Sequence, residues 1–241
     1  MSSIADRLTD VRSRITAAAR SVGRDPASVR LIAVSKTFPL DLVRNAYAAG
    51  QRDFGENRVQ EALDKIQDAR DLDIRWHLLG HLQTNKAKRA ASAFAAIHSV
   101  DGLELLRKLD AAAASDGTTP RLLIQVDLAG EETKFGVRPA DVPPLFEAAV
   151  SLRAARVVGL MTLPPIPENP EDARPWFVQL RRLRDDWAAS GVPPDMLQEL
   201  SMGMSGDFEV AVQEGATMVR VGTAIFGRRT PTSNFEVQNR K

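Results

Sequence analysis

The sequence predicts a single α/β domain closed as a (β/α)8 TIM-type barrel, with an extra helix at its amino end. Three observations carry this. Short runs rich in β-branched and aliphatic residues alternate with stretches of helical period about eight times along the chain. The length, 241 residues, is about what such a barrel needs. No low-complexity linker or composition break divides the chain, so one domain is expected over residues 1–230, followed by a polar tail over 231–241. A doubly wound open sheet shares the alternation. The count of strands favours the barrel.

The elements follow in order. An opening helix fits residues 3–22, with Ile4, Leu8, Val11 and Ile15 at spacings of three and four. "VRLIAVSK" reads as the first strand, and "PLDLVRNAYAAG" as a helix that starts on Pro39 and stops at Gly50. "RDFGEN" is a short second strand before the helical "RVQEALDKIQDAR". "IRWHLLG" and "AAIHSV" are the third and fourth strands, each with a helix behind it, "TNKAKRAASAF" and "GLELLRKLDAAAASDG". "RLLIQVDLAG" is the fifth, with a helix around "ADVPPLFEAAVSL". "ARVVGLMTLP" is the sixth, with the long helix "ARPWFVQLRRLRDDWAAS". "MLQELSMG", the helix "DFEVAVQEG" and the closing strand "TMVRVGTAIFG" complete the series.

Composition narrows the function. Lys and Arg number 32 against 31 Asp and Glu, so no field of one sign argues for nucleic acid or a membrane surface as partner. The absence of cysteine excludes disulfides, thiol catalysis and thiolate metal sites. No segment approaches the ~20 apolar residues that span a bilayer. The start carries charges at Asp6, Arg7, Asp10 and Arg12 instead of the apolar stretch of a secretory signal. A cytoplasmic protein is expected.

Active sites of this fold lie at the carboxyl ends of the strands, which singles out several residues. "SMGMSGD" places Gly203 and Gly206 with Ser201 and Ser205 directly before a helix. Glycines let backbone N–H groups approach an oxygen-rich ligand, and "VGTAIFG" repeats the device with Gly222 and Thr223. Loops after strands seven and eight of such barrels frequently bind phosphate. Each loop alone reads more readily as a tight turn with a helix cap at Ser205 or Asp207. Their occurrence together, in these two places, favours phosphate. Arg220 is flanked by Val219 and Val221, so alternation turns it into the barrel. There it is either paired with a strand carboxylate such as Glu199 or aimed at a ligand. Lys36 shares a face with Ile32 and Val34. Alone it reads as a snorkelling strand terminus. Facing a phosphate site it becomes an amine suited to a phosphorylated aldehyde, its ammonium disfavoured by burial and by Arg220.

The blocks "IAVSKTFP", "FGENRVQEALDK", "WHLLGHLQTNK", "EETKFG", "GLMTLP" and "LSMGMSGDFEVAVQEGATMVRVGTAIFG" resemble those of the YggS/PROSC-type pyridoxal phosphate homeostasis family. The resemblance runs from the opening helix to Gly227. It implies the barrel called fold type III of pyridoxal phosphate (PLP) proteins, similar to the amino-terminal domain of alanine racemases. It also implies PLP held as an aldimine on Lys36, with Ser201, Gly203, Gly222 and Thr223 at the phosphate. Arg220 would face the pyridine nitrogen, and Asn57 would lie close to the cofactor.

Two functions then compete: a PLP binder serving cofactor homeostasis without robust catalysis, and a PLP-dependent racemase-like enzyme. Racemisation needs two acid/base groups flanking the reacting carbon. Alanine racemases draw the second from a tyrosine of a further domain, and this chain is expected to end just after the barrel. Its only tyrosine, Tyr47, lies on the helix after strand one. A guanidinium at the pyridine nitrogen also disfavours ring protonation and weakens the ring as an electron sink. The binder is expected, as a monomer supplying PLP-dependent apo-enzymes, with no catalytic residue and no metal. A lysine-dependent aldolase without cofactor is a third reading. His77, His81 and His98 lack metal spacing and read as structural, although His81 lies near the mouth. Lys134, after strand five, is a candidate for handing over or holding a second cofactor molecule. Lys86 and Lys88 read as a solvated helix face.

Overall fold

The computed structural model describes residues 2–130 and 135–227, in which eight parallel strands close into a barrel in sequence order. Helix α1 (Ile4–Ser21) starts on a capping box, with Asp6 N–H donating to Ser3 Oγ at 3.1 Å and Ser3 N–H donating to Asp6 Oδ2 at 2.8 Å. Its buried stripe is Ile4, Leu8, Val11 and Ile15, the spacing read from the sequence. Burial of each such side chain contributes about 1.5–3 kcal/mol. That stripe packs on the barrel's closing helices, where Arg14 Nε reaches Glu209 Oε1 at 2.6 Å.

The alternation then unrolls. Strand β1 (Arg30–Val34) leads to α2 (Leu40–Ala48), β2 (Asp53–Glu56) to α3 (Val59–Asp68), β3 (Arg75–Leu78) to α4 (Ala87–Ala93), and β4 (Ala96–Val100) to α5 (Leu103–Asp116). The second half repeats it with β5 (Arg121–Gln125), α6 (Pro143–Ala149), β6 (Arg156–Met161) and α7 (Arg174–Ala189). It ends with β7 (Glu199–Ser201), α8 (Phe208–Gln213), β8 (Met218–Val221) and a one-turn α9 (Thr223–Phe226). Pairing of β1 with β8, Ile32 opposite Arg220, closes the ring.

Side chains divide by strand parity. Leu31, Ala33, Phe54, Trp76, Leu78, Val219 and Val221 face outward into the layer shared with the helices. Ile32, Val34, Leu79, Leu123, Val158, Met161 and Met218 fill the interior. Among the described residues no helix is long and apolar enough to cross a membrane.

Two of the boundaries that differ from expectation bear on the site. The eighth strand does not run through Gly227. It stops at Val221, and the N–H groups of Ile225 and Phe226 return to the Gly222 carbonyl at 2.9 Å. The β-branched Thr223 and Ile225 mimic strand alternation, but Gly222 ends the ladder. At the other site, β1 stops at Val34, so Lys36 sits in a turn beyond the strand.

Candidate functional site

A cavity of about 500 Å³ opens at the carboxyl mouth of the barrel. Val34, Phe38, Leu79, Leu163 and Ile166 form its apolar walls, and Lys36, Asn57, Ser205, Arg220 and Thr223 bring polar groups to it. That volume suits a small organic ligand.

Lys36 enters on a turn closed by the Phe38 N–H and the Ser35 carbonyl at 3.1 Å. The next residue, Thr37, has φ 66°, and a positive φ there is what a type II turn requires at its third position. A second lysine anchors the turn from outside the barrel. Lys65 Nζ donates to the Ser35 carbonyl at 2.9 Å and to Glu56 Oε1 at 2.6 Å, and Ser35 Oγ donates to the same carboxylate oxygen at 2.7 Å. Glu56 is fully buried, and that ion pair fastens β1, β2 and α3 beneath Lys36. Asn57 follows β2, and its backbone carbonyl passes so close to Gly80 that a Cβ there would lie 2.2 Å from it. Glycine at 80 is therefore a condition of Asn57's place at the mouth.

The loops after β7 and β8 meet at the cavity. Ser205 Oγ accepts from the Gly222 N–H at 3.1 Å, tying one loop to the other. Asp207 Oδ1 accepts from the Met204 N–H at 2.6 Å. Neither side chain is spent capping α8. Gly203, at φ 90°, lies under the loop, where a Cβ would come within 2.5 Å of Ala211.

Arg220 points inward between Val219 and Val221 and is 4% exposed. Its Nη1 donates to Ser201 Oγ at 2.6 Å and its Nη2 to the Thr162 carbonyl at 2.9 Å. Burial pulls the guanidinium down to about 10, with Asp207 acting to raise it. It is not paired with Glu199. That carboxylate sits at the opposite end, accepting from Arg121 at 2.7 Å with Arg30 at 3.6 Å.

Of the residues singled out from the sequence, Lys36, Asn57, Arg220, Gly222 and Thr223 line the cavity together. Ser201 and Gly203 support it from below. The Ser201 hydroxyl is fully buried and lies between Arg220 and His98, 2.8 Å from His98 Nδ1. His81 pairs with Asp101 at 3.0 Å and stacks on Phe135. Lys134 and the tail 231–241 lie outside the described residues. Sequence reasoning missed Ser205 as the clasp between the loops, Lys65 as the anchor of the turn, and the contact of His77 with His98. The signal for Lys65 is present, since a helix lysine nine positions after a strand carboxylate falls on the inner face of α3. No metal-binding cluster of three ligands occurs among the described residues.

The chain is similar to known proteins along most of its length. The family described as "Alanine racemase, N-terminal domain" matches residues 7–230. A pyridoxal phosphate homeostasis protein of Aquifex aeolicus is 45% identical over 224 residues, covering 93% of this chain and 97% of that protein. One from Pseudomonas aeruginosa is 44% identical, covering 95% and 97%. The structure of PipY from Synechococcus elongatus with PLP bound superposes with a TM-score of 0.83 at 44% identity, over 93% of this chain and all of that one. Alanine racemase of Clostridium difficile, at 16% identity and a TM-score of 0.71, shares the fold, and the match covers 59% of its chain. The chain therefore belongs to the alanine racemase N-terminal domain family, and within it to the pyridoxal phosphate homeostasis proteins.

Proposed function

We propose that this protein binds pyridoxal 5′-phosphate at the carboxyl mouth of its barrel, attached through Lys36, and serves cofactor homeostasis without robust turnover. The residues fit the group. A phosphate fits between the loops joined by Ser205 and Gly222, with Gly206 and Thr223 beside them, where backbone N–H donors and glycines gather. Arg220 would face the ring from the interior and Asn57 would flank it. The bound cofactor supplies an aldehyde for the amine and an electron-withdrawing ring. Lys36 holds it, the turn through Thr37 aims the amine, and the apolar walls keep water out.

The observation that carries the reading is the poverty of titratable groups. Among the described residues, Lys36 and Arg220 are the only ionisable ones lining the cavity. A racemase needs a second acid/base group on the opposite face, and Arg220 is too basic to shuttle protons near neutrality. Tyr47 lies elsewhere: its hydroxyl accepts from the Asp73 N–H at 3.3 Å, and Arg52 covers its ring. The protein acts as a cytoplasmic monomer that passes cofactor to apo-enzymes.

Two measurements test this. The purified protein mixed with PLP is expected to show a visible absorption band that borohydride bleaches and that Lys36→Ala lacks. A colourless wild type overturns the binding half. Incubation of the loaded protein with L-alanine is expected to yield only traces of the D-isomer, and sustained turnover would overturn the non-catalytic half.

A further inference from the structure

A file of buried polar side chains crosses the barrel from end to end. At the amino-terminal rim Arg75 donates to both oxygens of Asp53, at 2.9 and 2.6 Å. Asp53 Oδ1 lies 3.0 Å from His77 Nε2, His77 Nδ1 lies 2.9 Å from His98 Nε2, and His98 Nδ1 lies 2.8 Å from Ser201 Oγ. Ser201 Oγ in turn accepts from Arg220 at the mouth. Every link is within hydrogen-bond distance. The four residues from Asp53 to Ser201 are buried and come from β2, β3, β4 and β7, so the file is assembled by the barrel's closure.

The ends of the file fix its sense. A guanidinium can only donate, and an ionised carboxylate can only accept. Starting from Asp53, the carboxylate accepts, so His77 carries its proton on Nε2 and, being neutral, accepts on Nδ1 from the His98 Nε2–H. His98, neutral likewise, accepts on Nδ1, so the Ser201 hydroxyl gives its single hydrogen there while its oxygen accepts from Arg220. Each group finds a partner for every hydrogen and lone pair the file uses, with both imidazoles neutral. Burial supports neutrality, holding His77 below and His98 well below the ordinary imidazole range. Burial alone would push Asp53 up, yet the hydrogen bonds from Arg75 and His77 hold its carboxyl well below the ordinary carboxylate range.

We propose that Asp53, His77, His98 and Ser201 form a one-way hydrogen-bond chain that positions Arg220 for the ligand, with both histidines in the Nε2–H form. The chain itself stands on geometry alone. Its role toward PLP rests on the function proposed above. A guanidinium on a flexible stem costs side-chain entropy to hold. Anchoring Nη1 through a chain that ends on a fixed carboxylate leaves Arg220 pre-aimed before the ligand arrives. An apolar file would fill the same volume but could not orient a donor.

The test uses the full-length protein labelled with 15N at its three histidines. In the apo protein the signals of His77 and His98 are expected to show Nε2–H tautomers. Any Nδ1–H or doubly protonated form at either residue overturns the chain. Loading with PLP is then expected to move the His98 Nδ1 signal, because a chain that helps Arg220 hold a ligand must feel that ligand in return. No movement in a protein that shows the visible band overturns the positioning role. A wild type that shows no band overturns the proposed function together with that role, and leaves the tautomer result standing. Two substitutions complete the arms. His77→Leu, close in volume, interrupts the chain and is expected to weaken PLP binding about tenfold, the effect of one lost charge-linked hydrogen bond. His77→Gln, whose amide can donate to Asp53 and accept from His98, is expected to stay within about twofold of wild type. A His77→Leu protein that binds PLP as tightly as His77→Gln overturns the proposal. Should His77→Leu not fold, the loading experiment on the wild type decides it.

Discussion

Thr37 is the one non-glycine residue with positive φ among the described residues, and it directly follows Lys36, the lysine proposed to hold PLP. A β-branched side chain in the left-handed region is strained by about 1–3 kcal/mol. Thr37→Gly removes that strain while adding backbone freedom to the unfolded chain worth about 0.4–1 kcal/mol. The expected balance is a more stable protein, by about 1 kcal/mol in denaturant unfolding, that binds PLP about threefold more weakly because Lys36 leaves the strand on a looser turn. A variant less stable than wild type would show that Thr37 is not strained there. Reading by residue worked where alternation alone decides direction. Arg220 was legible as inward from its two flanking valines, and Lys36 from its place after a buried run. His77 and His98 were not, because their partners stand 21 and 103 positions away and only the closed ring joins them. A lone histidine in a strand carries no mark of whom it will meet.

Loops between elements, more than the elements, build the cavity, and the segment after β7 shows how closely. Strand β7 has only three residues, and the chain then turns through Gly203 at φ 90° before α8 begins. A methyl group at 203 would stand 2.5 Å from the Ala211 Cβ and 3.1 Å from the Phe208 Cα. Both the dihedral and the space forbid it. Gly203→Ala is expected to cost about 2 kcal/mol or more in chemical denaturation. It should also loosen PLP, since moving α8 displaces Ser205 from the Gly222 N–H. Unchanged stability would mean that the loop has room the geometry does not show. Element existence was legible throughout this region, while the exchange of strand for helix at Gly222 was not. Thr223 and Ile225 alternate like a strand, and only the carbonyl of Gly222, taken by two amides, decides for a helical turn.

At the scale of the whole molecule, eight repeats of strand and helix were legible because each repeat carries its own local period. The contents of the interior were not, because they depend on which strands face one another across the ring. That interior makes stability sensitive to acid. Buried His77 and His98 stay neutral in the folded state, burial holding both below the ordinary 6.5. Unfolded, they bind protons near 6.5. Between that value and their lower folded values, the unfolded chain holds more protons than the native one, so stability rises with pH and falls as pH drops. Each histidine then contributes a slope of up to about 1.4 kcal/mol per pH unit. Asp53, held low chiefly against its own burial by Arg75 and His77, adds a loss of the same sign further down, below about 3.8. Asp101 and Asp207, raised by burial, act in the opposite sense and offset part of the loss at lower pH. Denaturant unfolding at a series of pH values is therefore expected to show about 2 kcal/mol lost between about pH 7 and pH 5.5. His77→Gln, which keeps the chain but cannot titrate, should halve that loss. A flat profile over this interval would mean that the two imidazoles are protonated in the fold, and the one-way chain from Arg220 to Asp53 could not then exist.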